Sequence, residues 1–305
     1  MYWRDSYVSK AAIMKTATAR IGGAAALAMA LVLSTPSDVR AQQVSTPQGS
    51  SKMEERPTVT LNIVSGDLSG QEKRDFDLVE RAMRDIQTRG YAGLDRHLPA
   101  LRRALARAPA IYPYVEKRNA DEWIVRTQEI GETVLTATML QAAAQEDGAS
   151  SVTVRQQPNV YQLVALMLGS EAVERRRLDE AIAVLDQGLA RQPDDWVLIK
   201  EKASALQAAG RNEEALKLAS EALASDSIRI LLNAGALHRS RGFSLIELQR
   251  LPEARAAYDE ALKLDPEDRS AKAQLAYIDG LEAGQAPTAP VVMTPSAAAG
   301  KPANP

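Results

Sequence analysis

Two stretches of this chain superimpose at a fixed offset of thirty-four residues, which restricts the fold to architectures that stack one helical unit on the next. Residues 178–193, LDEAIAVLDQGLARQP, align with residues 212–227, NEEALKLASEALASDS. Ala181 then falls on Ala215, Ile182 on Leu216, Leu185 on Ala219, Gly188 on Ala222 and Pro193 on Ser227. A third stretch, PEARAAYDEALKLDP, ends at Pro266. Small residues at recurring positions let one helix pack closely on the next, so each unit buries its apolar face only by stacking on its neighbours. The expected fold class is all-α, an α-α superhelix that acts by presenting a surface.

The chain contains no cysteine, which removes disulfides, thiol catalysis and a lipid-modified cysteine together. Residues 1–41 read as a signal peptide: Lys10, Lys15 and Arg20 precede the apolar run Ile21 to Leu33, and Val39-Arg40-Ala41 offers a cleavage site before Gln42. The apolar run is shorter than the roughly twenty residues a spanning helix needs, so no membrane span is expected in the mature form. Removing residues 1–41 takes five basic and two acidic residues from totals of 37 and 39, leaving a net charge of −5. Such a chain has no global attraction for nucleic acid. The expected localisation is periplasmic.

Residues 42–68 read as a flexible linker with a short strand at 58–64, TVTLNIV, whose polar and apolar residues alternate. The comparable alternation at Ser151 to Arg155 predicts that these two strands pair. Residues 69–148 read as an amino-terminal helical region. Ser69-Gly70-Gln71-Glu72 has the spacing of a capping box. The helix after it carries Phe76, Val79, Met83 and Ile86 on one stripe and stops at Gly90. A second helix from about Leu94 to Ala108 completes a hairpin, and Leu101, Ala104 and Pro109 are spaced as in a divergent repeat. Asn119, followed by Asp121 and Glu122, predicts a helix start, with Trp123, Ile124, Thr127, Ile130, Val134 and Met139 continuing to about Gln145. Residues 149–159 read as a linker.

From residue 160 to 284 the sequence reads as helical hairpins closed by a capping helix at about Asp268 to Glu282. Ala254 lies thirty-nine positions beyond Ala215, five more than the repeat, and the extra residues are expected near Gly242-Phe243-Ser244. Residues 285–305 read as a disordered Pro/Ala-rich tail.

This segment resembles the tetratricopeptide repeat family. Leu168-Gly169 fits the first helix of the family's unit, and Lys202-Ala203 fits it by half. Ala181, Leu185, Gly188 and Pro193 fit the second helix with one glycine for alanine, and Ala254, Tyr258, Ala261 and Pro266 fit in full. The middle unit departs at Ala219 and Ser227. The resemblance implies a right-handed superhelix whose first helices line a concave groove for peptides or partner proteins. Carried onto this chain, the groove-facing candidates are Leu166, Ser170 and Val173, then Lys200, Ser204 and Gln207, then Arg229, Leu232, Asn233 and Arg239. Lys200 with Asn233 is similar to the family's carboxylate-clamp co-chaperones, but Ser270 and Gln274 stand where the clamp has basic residues.

The two histidines, His97 and His238, lie far apart in charged contexts and are expected at the surface, so no metal is expected. Gly66-Asp67-Leu68-Ser69-Gly70 places its serine one position too late for a nucleophile elbow. No catalytic residue and no cofactor is expected. The expected function is a non-enzymatic scaffold of the bacterial cell envelope that binds a protein or peptide partner, the alternative being an accessory subunit of an exported enzyme complex.

Overall fold

The structure, a computed structural model, describes residues 59–286. The expected signal peptide at 1–41, the lead-in through residue 58 and the tail from residue 287 lie outside the described residues. A first part consists of β1 (Thr60–Ser65), α1 (Gly70–Arg89), α2 (Leu98–Ala106), β2 (Val115–Lys117), β3 (Glu122–Arg126), α3 (Ile130–Glu146) and β4 (Ser151–Gln157). Eight helices follow: α4 (Val160–Glu174), α5 (Leu178–Leu189), α6 (Trp196–Ala208), α7 (Asn212–Leu223), the short α8 (Ile228–Leu232), α9 (Ala234–Glu247), α10 (Leu251–Leu264) and α11 (Arg269–Glu282). Among the described residues the protein is mostly helical, with one small sheet.

That sheet has the order β1-β4-β3-β2. The two alternating stretches do pair: β1 runs parallel to β4 from Thr60 opposite Ser151 to Ser65 opposite Gln156. β3 is parallel to β4 on its other side, and β2 is antiparallel to β3. Helix α3 lies over β4 and β1, closing a core of Val59, Trp123, Val125, Ala137, Val152 and Val154. The predicted helix from Asn119 is therefore corrected. Its first part is strand β3, and only the part from Ile130 is helical. Asn119 serves a hairpin turn instead, where its side-chain oxygen accepts from the Asp121 amide at 3.2 Å and the Arg118 amide donates to the Glu122 carbonyl at 2.9 Å. Residues 149–159 are likewise no linker, since β4 occupies the middle of the sheet and leads through Pro158 and Asn159 into α4.

The capping box at α1 is formed. The Ser69 hydroxyl accepts from the Glu72 amide at 3.3 Å, and the Ser69 amide donates to the Glu72 carboxylate at 3.1 Å. Gly90 ends α1 at φ 62°, a conformation that favours glycine. The expected helix from Leu94 begins later, because a 3-10 turn at Gly90–Leu94 intervenes. Leu98, Leu101 and Leu105 then turn one face of α2 into the core. His97 is buried against Asp85 at 2.5 Å rather than at the surface, and its ring holds the Asp85 carboxyl below the ordinary carboxylate range. His238 is half-buried, and burial lowers its pKa.

In the repeats, the small residues do what their spacing implies. A Cβ on Gly169 would meet the Leu185 side chain at 2.9 Å, and one on Gly242 would meet the Tyr258 ring at 2.7 Å. Ala203 and Ala219, both fully buried, hold the same relation in the middle unit. Ala181, Ala215 and Ala254 are also fully buried at the helix crossings. The expected insertion at Gly242-Phe243-Ser244 is corrected by these contacts. Gly242 sits sixteen residues before Tyr258, as Gly169 sits before Leu185, so the third unit is in register from Gly242 onward. The extra residues lie upstream, as the separate helical turn α8 and the break at Asn233.

Helices α1 and α2 pack against α4, so α4 is buried on nearly every side. The junction is polar and interlocked. Asp75 pairs with Arg107 and accepts from the Tyr161 hydroxyl at 3.3 Å, while Tyr112 meets Tyr161 edge to face at 4.8 Å.

Candidate functional site

The first helices of successive units, α4, α6 and α9, present one candidate face. On α6, residues four apart share a side. Ser204 is exposed there, and Lys200 beside it is half-buried and paired with Glu201 at 2.7 Å. The Ser204 hydroxyl turns back to the Lys200 carbonyl at 3.0 Å. Gln207, one turn further, donates to the Ser240 carbonyl at 2.9 Å and to the Ser244 hydroxyl at 2.9 Å, which ties α6 to α9. Arg239 pairs with Asp268, the residue that caps α11.

Three candidates take other roles. Leu166, 1 % exposed, belongs to the core around α4. Arg229, 5 % exposed, stacks over the Tyr114 ring at 4.1 Å and lies 3.6 Å from the Asp195 carboxylate. It is a buried cation joining the sheet-bearing part to the repeats. Asn233 donates to the Arg229 carbonyl at 2.8 Å across the break between α8 and α9. Asp195 is fully buried, caps α6 through the Val197 and Leu198 amides and accepts from Gln162 at 2.9 Å, while burial raises its pKa.

At the α4 end, Val173 and Ser170 are half-buried, and the phenol of Tyr91 nearby is pushed up to about 12 by burial. Leu232 is exposed on α8, beside the equally exposed Leu231. Two residues of this face escaped the sequence reading, Tyr91 and Phe243. Phe243 follows Ser204 by thirty-nine residues, the spacing that the small residues Ala203 and Gly242 carry, so the signal was present. Tyr91 carried no periodic signal, since it reaches α4 from a non-repeating turn.

The resulting face is mixed rather than basic. Both of its candidate cations, Lys200 and Arg239, already have carboxylate partners, so an acidic ligand would compete with Glu201 and Asp268. A cleft of about 470 Å³ opens elsewhere, lined by Asp186, Leu189, Ile199, Lys202, Leu218 and Ile230. Lys202 points about half a turn around α6 from Lys200 and bridges to Asp186 at 2.5 Å. Among the described residues, no group of three or more His, Asp or Glu side chains is placed to hold a metal ion, and no helix is long and apolar enough to cross a membrane.

Residues 235–268 match the family model described as tetratricopeptide repeat. No curated protein matches the chain. Among solved structures, the chain is similar to the first repeat domain of Spaghetti (RPAP3) bound to the HSP90 peptide SRMEEVD. The identity is 27 %, the match covers 39 % of this chain and 93 % of that one, and the TM-score is 0.35. The Arabidopsis OM64 repeat domain is 19 % identical over 39 % of this chain and 93 % of that one, with a TM-score of 0.35. The Sgt2 repeat domain from Aspergillus fumigatus is 20 % identical over 40 % of this chain and 81 % of that one, with a TM-score of 0.33.

Proposed function

On the tetratricopeptide repeat match at residues 235–268 and the stacked helical hairpins around it, we propose that the protein is a non-enzymatic interaction scaffold of the tetratricopeptide repeat kind. It binds a partner protein or peptide along the face of α6 and α9. The observation that carries this reading is the open surface around Ser204, where Lys200, Arg239 and Phe243 line adjacent helices fixed to each other by Gln207. Repeating units that bury one face and expose the other are suited to present an extended surface of this kind. Because its cations are already paired, the face favours a ligand that combines apolar contact at Phe243 with backbone hydrogen bonding over a highly charged acidic tail.

The proposed place of action is the bacterial periplasm, on the support of the basic, apolar and small-residue pattern in residues 1–41. There the scaffold recruits partners that build or maintain the cell envelope. The test is cross-linking in the envelope followed by mass spectrometry, comparing wild type with Lys200→Glu plus Ser204→Glu. Loss of a reproducible set of partners is the expected result, and an unchanged set would refute the face assignment. Cell fractionation with amino-terminal sequencing tests the location. A mature chain beginning at Gln42 in the periplasmic fraction is expected, and a cytoplasmic chain retaining residues 1–41 would refute export.

A further inference from the structure

The sheet ends in a strand built for pairing. β1 is hydrogen-bonded to β4 on one side only, and among the described residues no strand pairs with its other edge. The amides of Thr60 and Gly66 donate to the carbonyls of Ser150, just before β4, and Gln156 within it. Alternate residues of a strand direct their backbone groups to opposite sides, so those of Leu61 and Ile63 point to the open edge. Exposed edges in soluble proteins are normally blunted by lysine, proline, a bulge or a covering segment. From Thr58 to Ser65 this chain has no charged residue and no proline.

An apolar flank lies beside that edge. Helix α3 covers β4 and β1, and the Gln141 side chain donates to the Val59 carbonyl at 2.5 Å, which shows the side of α3 that overhangs β1. Ile130 and Val134 precede Gln141 by eleven and seven residues and so share its side of the helix. They are 52 % and 49 % exposed. Ile63, on the same sheet face as the buried Val59, is 40 % exposed.

We infer that β1 is a dimerisation edge: two copies of this chain pair β1 with β1 antiparallel about a two-fold axis at Asn62, joining two four-stranded sheets into one. In this register Leu61 stands opposite Ile63 of the second copy, and the outward backbone groups of both residues meet as hydrogen-bonded pairs. The Leu61 and Ile63 side chains of both copies fall on the face overhung by α3, where they extend the Ile130 and Val134 flank across the axis. The absence of charge in β1 favours self-pairing, because a two-fold axis brings the residues beside it near their own copies and a charge there would meet its like. This surface is separate from the face of α6 and α9, so the interaction is independent of the proposed function.

The test is sedimentation of the full chain across a concentration series, with hydrogen exchange at Leu61 and Ile63. Wild type is expected to be dimeric, with both amides losing protection on dilution. Ile63→Lys should be monomeric. Ile63→Pro removes an amide that the β1–β4 pairing does not use, so it should keep the wild-type circular dichroism while raising the dimer dissociation constant about tenfold or more. A monomeric wild type overturns the inference, whether its edge amides are open or protected equally at all concentrations by the chain's own termini. A dimer that survives both substitutions places the contact elsewhere and also overturns it.

Discussion

Replacing Gly242 by alanine tests whether ring contact, rather than helix formation, sets the residue at the crossing of α9 and α10. Alanine in place of glycine inside a helix ordinarily gains about 1 kcal/mol. At this position, the added Cβ would lie 2.7, 2.8 and 3.0 Å from three atoms of the Tyr258 ring. Normal carbon–carbon contact begins near 3.5 Å, so the ring must retreat by about 0.8 Å. It has nowhere to go: Tyr258 is 1 % exposed and shares its cluster with Leu245, Ala254, Ala257, Ala271 and Ile278. Overpacking a filled core costs about 1–3 kcal/mol, and contacts this short put the cost at the upper end. Gly242→Ala should therefore destabilise by about 1–2 kcal/mol net of the helix gain.

The sign should reverse when the ring is absent. Tyr258→Ala alone costs about 3–5 kcal/mol, and in that background Gly242→Ala should stabilise by up to about 1 kcal/mol, because the pair then matches Ala203 and Ala219. The coupling between the two sites is about 2–3 kcal/mol. Urea titration followed by helical circular dichroism measures all four corners of the cycle. Gly235→Ala in the same helix is the control, since its added Cβ meets nothing closer than 3.9 Å, and it should be neutral or stabilising. If Gly242→Ala is harmless in both backgrounds, ring contact is not what requires glycine there.

Ser69→Ala removes the serine half of a reciprocal cap on α1 and should cost about 1 kcal/mol in urea titration. Arg229→Met takes away the cation beside the fully buried Asp195 and should cost about 3–5 kcal/mol, read from the same titration, with loss of the Tyr114 environment visible in near-ultraviolet dichroism. His97→Ala acts on pH dependence. The folded pKa of Asp85 is depressed, so its contribution is present above the ordinary value of 3.8 and lost as the pH falls through the folded value. The variant should be less stable than wild type near neutrality and should lose less stability on acidification, measured as urea midpoints across the acid range.

The repeats were legible because their determinants are local and repeated. A small residue opposite a large one sixteen positions later, as at Gly169 and Leu185 or Gly242 and Tyr258, records a helix crossing in the sequence itself. The location of the insertion was recorded too, in the Ala203 to Gly242 spacing. Counting from Ala215 to Ala254 gives the same excess of five but leaves its position open. Strand β3 was not legible by the same route. Asn119 and the acidic residues after it serve a hairpin turn as well as they serve a helix start, because an Asn side chain accepts a nearby amide in both. The run Trp123 to Arg126, buried at each position, has no alternation because it is an interior strand covered on both faces.

For the candidate site, helical spacing gave the exposed positions on α6 but could not give Arg229 its place. Its partners Tyr114 and Asp195 come from distant parts of the chain, and a long cation looks like a surface residue until something packs on it. The carboxylate partners of Lys200 and Arg239 were hidden for a similar reason in the case of Asp268, which comes from the start of a later helix. Glu201, next in sequence to Lys200, was visible all along.

Only Pro158 and Asn159 separate β4 from α4, and α4 is enclosed by α1 and α2 on one side and by its own repeat on the other. The point at which the periodic sequence begins is thus not a point at which the molecule can be cut. A fragment starting at Val160 would strip Val160 and Tyr161 of the Leu68, Phe76, Ala108 and Tyr112 side chains packed on them, so the repeats should not be recovered as an independent domain. Helices α1 and α2 act as the solenoid's end plate, held to it by the packing on α4.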